Sequence, residues 1–290
     1  MEHGHRERTP IPRLHCQPHV SSESELAAYL TARGNRVVEY RGNLWRNNYA
    51  PNPISRYAWT PLHRWVPLPA DAVGYPTHSA MAYRALAAES DSATFAYTVF
   101  RNLSAYGEQS MNRQRARYTR QALARYEYRM LDDPDLLLAQ GWDVMRDASA
   151  FRGTRPPASE AAYRRRVVAT FEAKPPVVWA ALSDGRLVAY ETTYATGSEA
   201  TLEELYIAPA HRRGHVGFGM YWVALTGWAR VPGVRHAWAG GTMPGGVDQF
   251  KLSIGAGLEQ VPVHAGMRRP VQLGYRALKP EAMSLKDLHV

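Results

Sequence analysis

The residues best placed to do chemistry fall in one short run, APAHRRGHVGFG (208–219), where Arg212 and Arg213 precede Gly214, Gly217 and Gly219 at the head of an apolar stretch, 216–230. A basic, glycine-rich turn that opens a helix is an anion site. First-turn amides have no acceptor inside the helix, and the helix dipole adds positive potential, so a phosphate can be held by backbone alone. Glycines let that backbone come close. No Gly-Lys-Ser/Thr follows, which excludes a nucleotide P-loop, and the glycine spacing does not fit a dinucleotide fingerprint. His211 and His215 stand four apart in a turn without the glutamate of a metalloprotease helix, so no metal is expected and His211 should cap the turn or contact phosphate. Just upstream, Glu203 and Glu204 are adjacent on a predicted strand. Alternation sends one to each face, and a carboxylate buried in a cleft acquires the raised pKa of a general base. Glu204 is the candidate, with a structural pairing to arginine as the competing reading. No Gly-x-Ser-x-Gly elbow is present and the single cysteine, Cys16, lies in the N-terminal arm, so nucleophilic hydrolases fall away.

A second basic feature is the segment 111–129, MNRQRARYTRQALARYEYR, read as one helix with six arginines. Arg113, Arg117 and Arg120 follow at i, i+4 and i+7 and form a stripe, with Met111, Tyr118, Ala122 and Tyr126 facing roughly the other way. Such a stripe is either a solvated face or a phosphate-binding one, since arginine grips phosphate oxygens in a bidentate manner and few acids stand nearby. The whole chain, with 35 Lys+Arg against 26 Asp+Glu and a net charge of +9 over 290 residues, favours polyanionic partners such as nucleic acid.

The elements that must position these groups are clearest in the second half. VVWAAL (177–182) reads as a strand, SDGR as a tight turn, LVAYETTY (187–194) as the hairpin partner and TLEELYI (201–207) as a third strand. After the glycine-rich turn come a helix over 216–230, a strand over 234–240, a short helix within VDQFKLSIGAG and a closing strand from Leu258. The first half is less regular. Residues 1–20 read as an extended arm, and a helix starts at the capping box Ser22/Glu25 and stops at Gly34. Residues 37–65 suggest short strands broken by turns, 77–107 look helical and then mixed, and EAAYRRRVVATFEA is a helix ended by Pro175 and Pro176. Length and composition, 45% hydrophobic and 21% charged, are those of an ordinary globule of one or two domains and exclude a disordered or fibrous chain. No run approaches the ~18–20 apolar residues of a membrane span, and the start has no apolar signal core. A cytoplasmic location is expected.

The order hairpin, strand, glycine-rich turn, helix, strand, helix, strand over 177–278 resembles the GNAT N-acyltransferase superfamily, and LYIAPAHRRGHVGFGM is similar to its phosphopantetheine and pyrophosphate loop. With Gly217 and Gly219 on that loop's two glycines, Gly214 stands where the family has Arg or Gln. The segment GTMPGGVDQFKLSIGAGLEQVPVHAG resembles the C-terminal part of the Fem family, GNAT-fold enzymes that carry an aminoacyl group from aminoacyl-tRNA to an amine; the matching features are Phe250-Lys251 and Ile254-Gly255-Ala256. The Arg-rich helix resembles a stretch that precedes the family's second domain.

The resemblance implies an α/β (α+β) fold of two GNAT-like lobes, an arm at 1–20, a degenerate lobe at 21–150 and a better preserved one at 151–290. It implies a reaction in which an amine attacks an ester or thioester carbonyl and the oxyanion needs positive charge or N–H donors. Lys251 is implied as that charge, with Phe250 packed against the terminal base or sugar of the donor. Backbone groups of Leu205, Tyr206 and Ile207, with His211, Arg212, Arg213 and the three glycines, would hold the donor. Arg113, Arg117 and Arg120 would bind tRNA, and Arg41, Trp45 and Arg84 are candidates for the acceptor side. The expected activity is amide-bond formation on a small peptide-like acceptor, with aminoacyl-tRNA as co-substrate and no resident cofactor or metal. The alternatives are an acyl-CoA-dependent N-acyltransferase and a non-catalytic nucleic-acid-binding protein on the same scaffold.

Overall fold

The computed structural model describes residues 11, 18–47, 58–89, 93–153, 159–173, 176–241 and 247–269. In chain order these form α1 (Glu23–Ala32), β1 (Val37–Tyr40), β2 (Asn43–Asn47), β3 (Ala58–Pro61), β4 (Ala82–Leu86), β5 (Ala93–Phe100), α2 (Arg113–Arg125), β6 (Glu127–Leu131), α3 (Trp142–Phe151), α4 (Glu160–Glu172), β7 (Val177–Ser183), β8 (Arg186–Thr196), β9 (Glu199–Ile207), α5 (Val216–Trp228), β10 (His236–Gly241), α6 (Val247–Ser253) and β11 (Gly257–Met267). Most of the N-terminal arm, including Cys16, lies outside the described residues.

All eleven strands join one sheet in the order β1-β2-β3-β4-β11-β5-β10-β9-β8-β7-β6. β5, from the first half of the chain, lies between β10 and β11 of the second and is antiparallel to both. β6, also from before residue 150, pairs with β7. The two halves therefore share strands. Parallel neighbours occur twice, β9 with β10 and β3 with β4, once on each side of the shared centre.

Local chemistry explains the elements. Ser22 Oγ accepts from the Glu25 amide while Glu25 Oε2 accepts from the Ser22 amide, closing the expected capping box on α1. Two expectations are corrected. Residues 77–107 hold β4 and β5 rather than a helix: the Ala-rich MAYRALAAES has helical propensity, but pairing with β11 on a half-buried sheet overrides it. The helix expected over 111–129 stops at Arg125, because Tyr128 is buried between exposed Glu127 and Arg129, the period-two pattern of β6.

α5 is apolar all round, and nearly all of it is buried because the sheet covers one side and α2 the other. Its seat on the sheet is polar at one point. Trp179 and Trp228 are fully buried, and both indole nitrogens donate to Thr193 Oγ1 at 3.0 Å. Replacing Thr193 with Val keeps the shape and strands two buried N–H groups, each costing about 1–3 kcal/mol. The urea midpoint of Thr193→Val should fall accordingly, with the slope unchanged.

Candidate active site

A bulge opens the site. β8 and β9 pair Thr193 with Leu202 and then Thr192 with Glu204, so Glu203 is the extra residue. β9 and β10 stay paired only from Glu199/His236 to Thr201/Trp238. Beyond that point β10 follows β5, reaching Gly241 opposite Tyr97 after an irregularity. The strands thus part at Leu202, and a cavity of about 620 Å³ fills the gap between β9, β10 and the first turns of α5.

The bulge also corrects the expectation that Glu203 and Glu204 face opposite ways. Doubling a residue suspends the alternation, and both carboxylates reach the same buried guanidinium, Arg33, at 2.5 and 3.3 Å. Glu204 is held from the other side by Arg166. Both carboxylate oxygens of Glu204 are thus engaged by arginines, Oε1 by Arg33 and Oε2 by Arg166. The pairing with arginine is the reading that this geometry supports.

Lys251 lies at the inner end of the cavity, 4% exposed, on α6. Its Nζ donates to Ala239 O at 2.5 Å and Thr98 Oγ1 at 3.3 Å, with Asp248 Oδ1 at 3.9 Å. Burial pulls its pKa below the ordinary lysine value, against the pull of Asp248 and Glu191. Phe250 faces the same cavity and packs edge-on against Phe218 (4.8 Å) and Tyr221 (5.3 Å). It is part of the wall. Leu205, Tyr206 and Ile207 supply the free edge of β9.

The turn before α5 is a 3₁₀ helix, Pro209–Gly214, closed by His215 in the left-handed region at φ 62°. A non-glycine residue held there is strained, and the strain is offset by stacking: the imidazole lies flat on Tyr118 at 3.9 Å. Burial and the nearby Arg115 hold the His215 pKa below its usual value. Arg212 lines the mouth and sits over the Phe151 ring at 4.4 Å; Arg213 is exposed and does not line the cavity. His211 Nδ1 meets the Tyr126 hydroxyl at 3.4 Å.

The three glycines divide. A methyl on Gly214 would strike Tyr126 Oη at 2.0 Å, and one on Gly219 would strike Tyr128 Oη at the same distance. Those two are required by tyrosines packed behind the loop. Gly217 alone lines the cavity, where an added Cβ would press on Ile207 Cδ1 of β9 at 3.1 Å.

Other expected residues lie apart. On α2, Arg113 and Arg117 are exposed and Arg120 is tied to Glu108. Arg41 caps carbonyls of Asp71 and Val73, and Trp45 is fully buried in a separate cluster with Trp59. Arg84 is buried over the Phe95 ring at 4.3 Å. None of these three lines the cavity.

Three further residues belong to the site and escape the sequence reading. Arg152 lines the mouth and donates to Leu205 O at 3.3 Å. Arg115, off the expected stripe, lies over Phe218 at 5.4 Å beside His215. Glu191 lines the cavity, 1% exposed, and burial pushes its carboxyl up to about 8. The sequence signal for Glu191 is a lone acid amid an apolar strand, VAYETTY. A group whose native pKa is raised stabilises fully below its unfolded value near 4.5 and loses that contribution as pH climbs through about 8. The melting temperature of the protein should therefore fall between pH 5 and 9 relative to Glu191→Gln, as read by parallel thermal melts in buffers across that range.

Among the described residues no group of His, Cys, Asp and Glu could hold a metal ion, and no helix is long and apolar enough to cross a membrane.

No family model matches the chain, and no curated protein matches it. Solved structures do. FemX superposes with a TM-score of 0.58 at 10% identity, over 88% of this chain and 93% of that one. A domain described as the C-terminal part of a putative lysylphosphatidylglycerol synthetase from Agrobacterium fabrum gives 0.53 at 13%, over 93% and 95%. L-PGS from Bacillus licheniformis gives 0.53 at 12%, over 91% and 96%. The chain thus shares its fold with FemX, and the mixed α/β class is the one expected from the sequence.

Proposed function

We propose that the chain is an acyltransferase that moves an aminoacyl group from aminoacyl-tRNA to the amine of a small peptide-like acceptor. The observation that carries this reading is the parted β9–β10 pair, which puts a buried ammonium, Lys251, at the inner end of a cavity whose mouth is ringed by Arg152, Arg212 and the first turn of α5. The likeness to FemX, which bears the name of the family that the Phe250-Lys251 segment resembles, supports it.

In this reading the donor's terminal ribose and phosphate lie at the α5 N-terminus, where amides and Arg212 offset their charge. Its ester arm runs along the free edge at Leu205–Ile207. The acceptor nitrogen attacks the ester carbonyl, and the carbonyl oxygen gains charge within reach of Lys251, a preorganised cation in a desolvated site. The bond to the ribose oxygen then breaks, and that oxygen takes up the proton released by the nitrogen, so no dedicated base is required. Phosphates farther along the tRNA reach Arg113 and Arg117.

The test is transfer from radiolabelled aminoacyl-tRNA to a panel of short peptides and amino-acid amides. Amide product that disappears on prior RNase treatment is expected. Product formed from acyl-CoA with no RNA present would overturn the reading in favour of a CoA-dependent enzyme.

A further inference from the structure

Glu191 is the unusual group in the cavity. It lies on β8 opposite Leu205 of β9, and its Oε2 is fully buried with no hydrogen-bond partner among the described residues. The groups facing it are Tyr221 from α5 and Lys251 from α6, with Asp248 of α6 beyond them. Lys251 attracts the carboxylate electrostatically but makes no hydrogen bond to Oε2, and two of the three donors of its ammonium go to Ala239 O and Thr98 Oγ1. A buried carboxyl with an unpaired oxygen is costly and calls for an explanation, and among such atoms this one belongs to a residue that lines the cavity, where a ligand can complete it.

We propose that Glu191 receives the free amino group of the transferred unit, so that the site selects donors carrying a primary ammonium beside the carbonyl, as aminoacyl esters do, over simple acyl groups, which have nothing to offer that oxygen. This rests on the aminoacyl-donor reading above and deepens it. In an aminoacyl ester the α-nitrogen and the carbonyl oxygen are neighbours. Lys251 and Glu191 line the same cavity and interact electrostatically, which matches that pair of opposite demands, positive charge for the oxygen and negative for the nitrogen. An acetyl group would bury beside Glu191 without pairing it, and that mismatch is how a site built to hydrogen-bond a substrate rejects analogues lacking the group. Burial pushes the Glu191 carboxyl up to about 8, which favours its protonated form in the unliganded cavity near neutral pH. An arriving ammonium makes the carboxylate the favoured form, so binding expels that proton.

The probes are a stable amide-linked donor mimic, 3′-aminoacylamino-3′-deoxyadenosine, and its N-acetyl derivative, titrated calorimetrically into the intact chain at pH 7 in buffers of different ionisation enthalpy. The free amine is expected to bind about tenfold or more tighter than the acetylated form, with net proton release, the strength of a hydrogen bond between charged groups. Glu191→Gln should bind both forms alike and release no proton. Equal affinities in the unaltered protein, a preference that survives Glu191→Gln, or binding of neither probe would overturn the proposal. If Glu191→Gln fails to fold, the preference and the proton release of the unaltered protein decide. Failure of the aminoacyl-donor reading is seen separately: aminoacyl-tRNA would then give no transfer even where the free-amine preference holds.

Discussion

Lys251→Met should lower the rate of amide formation by about 10²–10³-fold, the usual loss when one preorganised donor to a developing oxyanion is removed. Methionine keeps the length of the stem and fills the same buried space, so the loss reports charge rather than shape. Because the interaction matters only as the carbonyl oxygen gains charge, kcat should fall while donor binding changes little. Single-turnover kinetics with saturating donor separate the two. A parallel thermal melt controls for the Ala239 carbonyl and Thr98 hydroxyl, which no longer have their donor. The pH profile gives a second readout. The lysine must be protonated to act, and burial lowers its pKa, so the rate should decline on the alkaline side earlier than an exposed lysine would allow. An unchanged rate for Lys251→Met would remove the lysine from the mechanism.

Binding of the full-length donor should depend on charges well outside the cavity. Arg113 and Arg117 are exposed on α2 and no acid pairs with them among the described residues, whereas Arg120 is engaged by Glu108. Changing both to Ala should weaken aminoacyl-tRNA binding by about tenfold or more at physiological salt. The slope of log affinity against log salt should become shallower by about 0.7–0.9 for each phosphate left without its arginine. Filter binding across a salt series measures both quantities. The same double variant should bind the adenosine probe normally, because a ligand that ends at the α5 turn does not extend to those side chains. Unaltered tRNA affinity would confine these arginines to a solvated face.

The second half of the chain was legible because its signals are local. Apolar strands with tight turns, a glycine-rich bend and an apolar helix mark β7 to β10 and α5 nearly in place, and the family resemblance singles out Phe250 and Lys251, which line the cavity. What failed was non-local. Glu203 and Glu204 looked like opposite-facing neighbours because a bulge is set by register against β8, which no single strand reveals. Gly214 and Gly219 looked like phosphate glycines because the tyrosines that demand them, Tyr126 and Tyr128, come from far earlier in the chain. Trp45 and Arg84 looked available for an acceptor because nothing in 37–65 or 75–84 tells that the indole and the guanidinium pack inward. Glu191 is of the same kind: a lone acid in a strand gains meaning only once the strand beyond it parts from its neighbour.

Whether the transferred carbonyl lodges where β9 and β10 separate is decided by a crystal structure with an amide-linked aminoacyl-tRNA acceptor-stem mimic. Density is expected for the acyl arm along Leu205–Ile207, with its carbonyl oxygen toward Lys251 and the terminal phosphate at the head of α5. Density for the mimic outside that gap, with β9 and β10 unchanged around an empty cavity, would rule this placement out.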